Sequence, residues 1–253
     1  PGGKKRSQEV EQTGFDASIV SEALWSRWCE TVRRHRMGEQ KLGRLAPTLQ
    51  SLPTVIWHTP LGEYTDRSLA QIRRMRTHGE KRIHSILEVF CTVHEAVSTA
   101  VLDENLDLAL LPRFVPPLER WLLEAIESAE PPSVAMLRSH LAKPLVQQIE
   151  IDLGAQVAGL ASERLQLDKS APSVKQQAES LGVTRARVYQ LLDDCARVME
   201  VRWPEGRWIL APLAEKLREA SPDAMALLHA VRDLFYPEVK PGAAVSAEEQ
   251  VEA

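Results

Sequence analysis

Cysteine is scarce in this chain, and long hydrophobic runs are missing from it. The 253 residues contain three cysteines, Cys29, Cys91 and Cys195, which lie far apart with no CxxC pair. A disulfide framework and a cysteine-based zinc site are therefore poorly supported. No apolar run approaches the roughly 18 residues that span a bilayer, and the initial PGGKKR lacks the apolar core of a signal peptide. We expect a cytoplasmic protein without membrane contacts.

A surplus of positive charge is also missing. The 31 basic and 35 acidic side chains give a net charge of −4, which argues against coating nucleic acid by bulk charge. The charge is unevenly distributed: residues 27–44 hold six basic and two acidic side chains, residues 71–94 hold five and two, and residues 103–130 hold two and seven. Any contact with nucleic acid must therefore come from local basic patches.

Motifs of common catalytic sites are absent. The sequence contains no HExxH, P-loop, GxSxG or GxGxxG pattern, and its carboxylates show no paired spacing within an apolar frame. We therefore expect neither an enzyme nor a bound cofactor or metal ion.

The pattern over residues 173–197 is typical of a helix-turn-helix. Ser173 is placed to cap a first helix over 174–181, Gly182 suits the left-handed turn that ends it, and Thr184 is placed to cap a second helix. Long polar side chains follow on the outer face of the second helix, at Arg185, Arg187, Tyr189 and Gln190. Such side chains bind base edges and phosphates in the major groove.

Two short alternating runs, at 198–203 and 207–210, flank the turn Pro204-Glu205-Gly206. This pattern predicts a β-hairpin, which directly after a recognition helix would form the wing of a winged helix. In that arrangement Arg202 and Arg207 would contact backbone phosphates. A hairpin that merely covers the core is the alternative.

The string LGVTRARVYQLL resembles the helix-turn-helix in the fourth region of bacterial sigma factors. The resemblance covers about 25 residues, and it implies promoter DNA as the ligand, with Thr184, Arg185, Arg187 and Gln190 at the interface. The other sigma regions are not apparent, so a complete sigma factor is not expected.

A second pattern, over residues 68–94, is that of a helix-hairpin-helix. Two apolar stripes flank the basic connection around Gly79, which is expected to turn tightly and to present the amides of the next helix to a phosphate. This stretch, from about residue 59, is similar to the C-terminal domain of the bacterial RNA polymerase alpha subunit. That resemblance implies minor-groove contacts from Gly79, Lys81 and Arg82, although Glu80 stands where the family has a cation. The alternative is a helical hairpin that mediates protein contacts.

The predicted fold class is mainly α, with an N-terminal helix-hairpin-helix module and a C-terminal winged helix-turn-helix module that includes a short β-hairpin. We place a disordered segment at 1–14, the first module at 15–130, the second at 131–239, after the linker Pro131-Pro132, and a disordered tail at 240–253.

The function predicted from these patterns is sequence-dependent binding of double-stranded DNA, by a bacterial transcription regulator or by the DNA-binding part of a larger protein. RNA polymerase, a larger assembly and a second copy of the chain are further candidate partners. The alternative is a protein-interaction scaffold built from degenerate DNA-binding modules. The acidic stretch at 103–130 and the nearly neutral charge of residues 171–210, six basic against five acidic, favour that alternative.

Overall fold

The computed structural model describes residues 15–50, 52–76, 78–100, 111–167, 172–218 and 220–238. The segments expected to be disordered, 1–14 and 240–253, lie outside the described residues. The described chain is mainly helical, as predicted. It divides into two compact units, of which unit 1 comprises residues 1–47 and 51–110, and unit 2 comprises residues 48–50 and 111–253.

Unit 1 is built from two long helices, α1 and α5, and several short helical segments. Its described α-helices are α1 (Glu22–Arg34), α2 (Leu42–Leu45), α3 (Gly62–Thr65), α4 (Leu69–Arg73) and α5 (Glu80–Ala100). Asp16 caps the 3-10 turn Ala17–Ile19, and its carboxylate accepts from the Ser18 amide. The α-helix begins after Ser21, whose hydroxyl accepts a hydrogen bond from the Leu24 amide at 3.2 Å.

The core of unit 1 lies between α1 and α5. Trp25 of α1 is buried against Phe90 of α5, with their ring centroids 4.5 Å apart, and its indole N–H donates to the Arg67 carbonyl at 2.8 Å. The Glu22 carboxylate accepts from the Leu69 amide at 2.8 Å and thereby satisfies a free donor at the start of α4. The large aromatic side chains and this capping contact hold α1, α4 and α5 together.

Unit 2 contains the larger set of helices. They are α6 (Val115–Glu127), α7 (Val134–Leu137), α8 (Lys143–Leu153), α9 (Ala155–Arg164), α10 (Val174–Leu181), α11 (Arg185–Arg202), α12 (Gly206–Leu217) and α13 (Pro222–Phe235). Helix α6 packs on α12, so residues 111–130 belong to this unit, although the sequence pattern had grouped them with the N-terminal module.

A π-helical turn at Arg138–Ala142 joins α7 to α8. Pro144 follows directly, and a proline has no amide to donate and crowds the carbonyl four residues before it. The wider turn accommodates this proline within a continuous helical path.

The predicted β-hairpin, and with it the wing, is wrong. Among the described residues no β-strand forms, and the β-type pairing seen there is an isolated bridge between Lys41 and Pro60. Residues 198–202 are the last turns of α11, and α12 starts at Gly206. The apolar side chains of 198–203 alternate over too few residues to distinguish a strand from a helix, and here they continue the buried stripe of α11.

The turn after α11 depends on close packing at Gly206. A Cβ atom built there would lie 2.6 Å from the Trp203 ring and 2.6 Å from Cζ of Tyr236. The Tyr236 hydroxyl donates to the Trp203 carbonyl at 2.8 Å, and both aromatic side chains are buried. The glycine therefore allows α12 to begin beside the end of α13.

No helix among the described residues combines the length and apolar character that crossing a membrane requires.

Candidate nucleic-acid interface

The turn between α10 and α11 has the capping that the sequence predicted. Ser173 and Gln176 form a reciprocal capping box at the start of α10. Gly182 ends that helix in the left-handed conformation, with φ at 63°. The Thr184 hydroxyl then accepts from the Arg187 amide at 3.2 Å, which caps α11. Helix α10 thus begins and ends at the predicted residues, and α11 begins at the predicted residue but continues to Arg202, through the segment predicted to be a strand.

Small and branched side chains fix the packing between the two helices. Ala178 of α10 and Val188 of α11 are buried, and Leu191 continues the same inner stripe one turn later. Val183, in the turn, and Leu192 are half-buried. Helix α9 packs against α11 as well, so α11 contacts both α9 and α10.

Gln177 is a packing residue that the sequence pattern did not indicate. Its side chain is 2% exposed, and its amide nitrogen donates to the Glu163 carboxylate of α9 at 3.0 Å. This buried polar contact links α10 to α9, and no local signal identifies it because the partners are distant in sequence.

The predicted base-reading side chains lie on the surface. Arg185, Arg187, Tyr189 and Gln190 are exposed, and Tyr189 exposes 56% of its area. Arg187 donates to the Gln190 side-chain oxygen at 3.3 Å. Neither Arg185 nor Arg187 forms an ion pair with any described carboxylate, so both guanidinium groups face solvent.

The register of α11 separates these side chains into a centre and two flanks. Successive residues of an α-helix are rotated by about 100°, and the buried stripe passes through Val188, Leu191 and Cys195. Tyr189 and Gln190 are close to the centre of the opposite face. Arg185 and Arg187 leave the helix on its two flanks, about 100° to either side of that centre. An arginine on each flank is suited to the two phosphate backbones that border a groove.

Asp193 also lies at the centre of that outer face, one turn after Tyr189 and Gln190. It is exposed, and it forms no hydrogen bond or ion pair with any described residue. The sequence pattern had not singled it out, although its spacing from Gln190 places it on the same face of a helix.

The predicted DNA contact of Arg202 is wrong, because this side chain is buried. It is 2% exposed, and its Nη2 and Nε atoms donate to the two carboxylate oxygens of Asp152 at 2.6 and 2.9 Å. Asp152 accepts further bonds from the Leu49 amide at 2.9 Å and from Gln148 at 2.8 Å. This buried, bidentate ion pair holds the C-terminal end of α11 within unit 2 and leaves Arg202 unable to reach a phosphate.

Arg207 is exposed in the first turn of α12. Its expected role depended on a wing, which the structure replaces with a helix. Helix α11 separates it from Arg185 by about 25 Å along the helix axis, so the structure does not bring Arg207 together with the cap and the outer face of α11.

The residues predicted in unit 1 lie at the start of α5. The Gly79 carbonyl accepts from the Arg82 and Ile83 amides at 3.0 and 3.1 Å, so Gly79 is the N-cap. Its φ lies outside the left-handed region, and an added Cβ would meet open space. The expected requirement for a tightly turning glycine is therefore not met. Lys81 is exposed and Arg82 is half-buried, and the exposed carboxylate of Glu80 lies beside them.

A tyrosine–histidine contact holds the connection between α4 and α5. The Tyr64 hydroxyl lies 3.2 Å from Nε2 of His78, and the two rings meet edge to face. Partial burial, followed by the charges of Arg82 and Arg67, lowers the pKa of His78. This connection therefore favours the neutral imidazole and is set among cations.

Comparison of the chain with protein-family models, with curated proteins and with solved structures gave no match.

Proposed function

We propose that this protein binds double-stranded DNA in a sequence-dependent manner through α10 and α11, as a transcription regulator or as the DNA-binding part of a larger assembly. The observation that carries the proposal is a turn capped on both sides, followed at the start of α11 by two exposed arginines that form no ion pair with any described carboxylate. The N-terminal turn of α11 enters the major groove in this arrangement, as in other helix-turn-helix modules.

The proposed contacts follow from the register of α11. Arg185 and Arg187 bind phosphates on either side of the groove, while Tyr189 and Gln190 face the base edges. Thr184 lies at the helix start, where a hydroxyl and free amides suit a phosphate oxygen. Glutamine pairs with adenine through two hydrogen bonds, which requires Gln190 to give up its bond from Arg187.

The test is the affinity of the full chain for duplex DNA, measured across a salt series. Each lost phosphate contact lowers the slope of log affinity against log salt by about 1. We expect the double variant Arg185→Ala, Arg187→Ala to lower the slope by about 2. The matched control is Arg218→Ala, which alters an exposed arginine at the C-cap of α12 that pairs with Glu215. The slope for this variant should equal that of the unaltered protein. Absence of binding at about 50 mM salt would contradict the proposal.

A second candidate is a protein-interaction scaffold in which the same helix face binds a protein partner, such as RNA polymerase. The observation that favours it is the carboxylate of Asp193 at the centre of the outer face, together with a basic surplus of only one over residues 171–210. Under this alternative, the arginine variants would leave DNA affinity unchanged while weakening capture of the partner.

The start of α5 is a weaker candidate for DNA contact. Lys81 and Arg82 could add a phosphate contact to that of α11, but Glu80 repels a phosphate at the same helix end. Lys81→Ala should lower the slope of the salt series by about 1 if this contact forms, and should leave it unchanged if it does not.

A further inference from the structure

We propose that Asp193 is a specificity-determining residue of the α11 interface and that it selects cytosine at one base pair of the bound site. The inference rests on the proposed DNA binding and extends it to a residue that the sequence pattern had not indicated. It follows from three features of Asp193: its position on the helix, its unpaired carboxylate and the donors that a major groove offers.

The position of Asp193 places it in line with the base-reading side chains. Asp193 follows Tyr189 by four residues and Gln190 by three, so all three lie on one strip of the α-helix surface. That strip lies opposite the buried stripe of Val188, Leu191 and Cys195. A helix that inserts Tyr189 and Gln190 into a groove therefore brings Asp193 towards the same groove rather than towards its rim.

The carboxylate of Asp193 is available to accept hydrogen bonds. Its neighbour Asp194 accepts from Arg197 at 3.3 Å, whereas Asp193 has no partner among the described residues. Asp194 lies nearly a third of a turn away and exposes 30% of its side chain. The two adjacent carboxylates thus differ in both direction and pairing, and this difference provides a matched control.

The chemistry of the groove limits what an unpaired carboxylate can face. Phosphates repel it, and guanine presents the acceptors N7 and O6, which repel it as well. Cytosine presents its N4 amino group, the donor from which Asp and Glu accept in the major groove, whereas the N6 donor of adenine lies beside the acceptor N7, which repels a carboxylate. A base pair without a suitably placed donor leaves a desolvated charge unpaired, which is costly. Asp193 therefore discriminates chiefly by penalising wrong bases.

The test is selection of bound duplexes from a randomised pool by the full chain, followed by sequencing of the bound fraction. The unaltered protein should prefer cytosine at one base pair. Asp193→Asn should shift that preference to adenine, because an asparagine amide forms two hydrogen bonds with adenine. Asp193→Ala should reduce the preference there by about fivefold or more and leave the other positions unchanged.

Asp194→Asn is the control, because it removes the same charge from the adjacent position. Both asparagine variants should bind non-specific DNA slightly more tightly, but only Asp193→Asn should change the selected sequence. An identical selected sequence for Asp193→Asn and the unaltered protein would overturn the inference and leave the proposed DNA binding intact. Binding without any sequence preference would also overturn it. Absence of DNA binding in the salt series would overturn both.

Discussion

Arginine has opposite roles at the two ends of α11. At the N-terminal end, Arg185 and Arg187 are exposed and have no ion-pair partner among the described residues. At the C-terminal end, Arg202 is buried in a bidentate ion pair with Asp152. One end of the helix is thus exposed to solvent, while the other end is held in the core. Burial, rather than residue type, therefore decides whether an arginine in this unit can bind an anion.

The largest loss of stability is expected from a change at the buried, C-terminal end of α11. Arg202→Ala should destabilise the protein by about 3–5 kcal/mol, because it leaves the Asp152 carboxylate buried without its partner. Arg185→Ala, at the exposed end, should change the free energy of unfolding by less than about 0.5 kcal/mol. Urea unfolding of the full chain measures both. Equal small effects would show that Arg202 is not buried as described.

A smaller effect is expected from the turn that follows the buried end. Gly206→Ala should cost about 1–3 kcal/mol, since the added methyl group collides with Trp203 and Tyr236. The control is Gly159→Ala in α9, where an added Cβ meets open space. That change should stabilise the protein by about 0.5–1 kcal/mol, because alanine is the better helix former. Both values come from the same unfolding measurement, and a stabilising Gly206→Ala would contradict the packing.

The smallest changes in stability are expected at the glycines that precede α11 and α5. Gly182→Ser should cost about 1 kcal/mol, because Gly182 is in the left-handed conformation. Gly79→Ser should instead stabilise the protein by about 0.3 kcal/mol, because serine is a better N-cap than glycine. Hydrogen exchange at the amides of α10 and α5 separates the two responses. A destabilising Gly79→Ser would indicate a tight hairpin at α5 after all.

Local signals explain why the helix-turn-helix was predictable. Ser173, Gly182 and Thr184 act on the backbone within a few residues of themselves, so the bounds of α10 and the start of α11 followed from the sequence. The exposure of Tyr189 and Gln190 followed from the same helical spacing. Asp193 could have been found by extending that spacing one more turn, because it shares their face.

The wing was mispredicted for the opposite reason. A short alternating run fits a strand and a helix equally well, and the decision at residues 198–202 came from burial of Val198, Met199 and Val201 against other helices. The ion pair of Arg202 and Asp152 joins residues that are 50 positions apart in the chain. No pattern within one segment reveals such a partner.

The scarcity of cysteine, the lack of long apolar runs and the capped turn at residues 173–190 were determined by the sequence itself, because composition and short-range hydrogen bonds do not depend on distant neighbours. The tertiary structure decided which of the many arginines remain exposed. It did so by extending α11 into the core of unit 2, where desolvation requires every charge to be paired. The arginines predicted to contact DNA therefore lie exposed at one end of that helix and in a buried ion pair at the other.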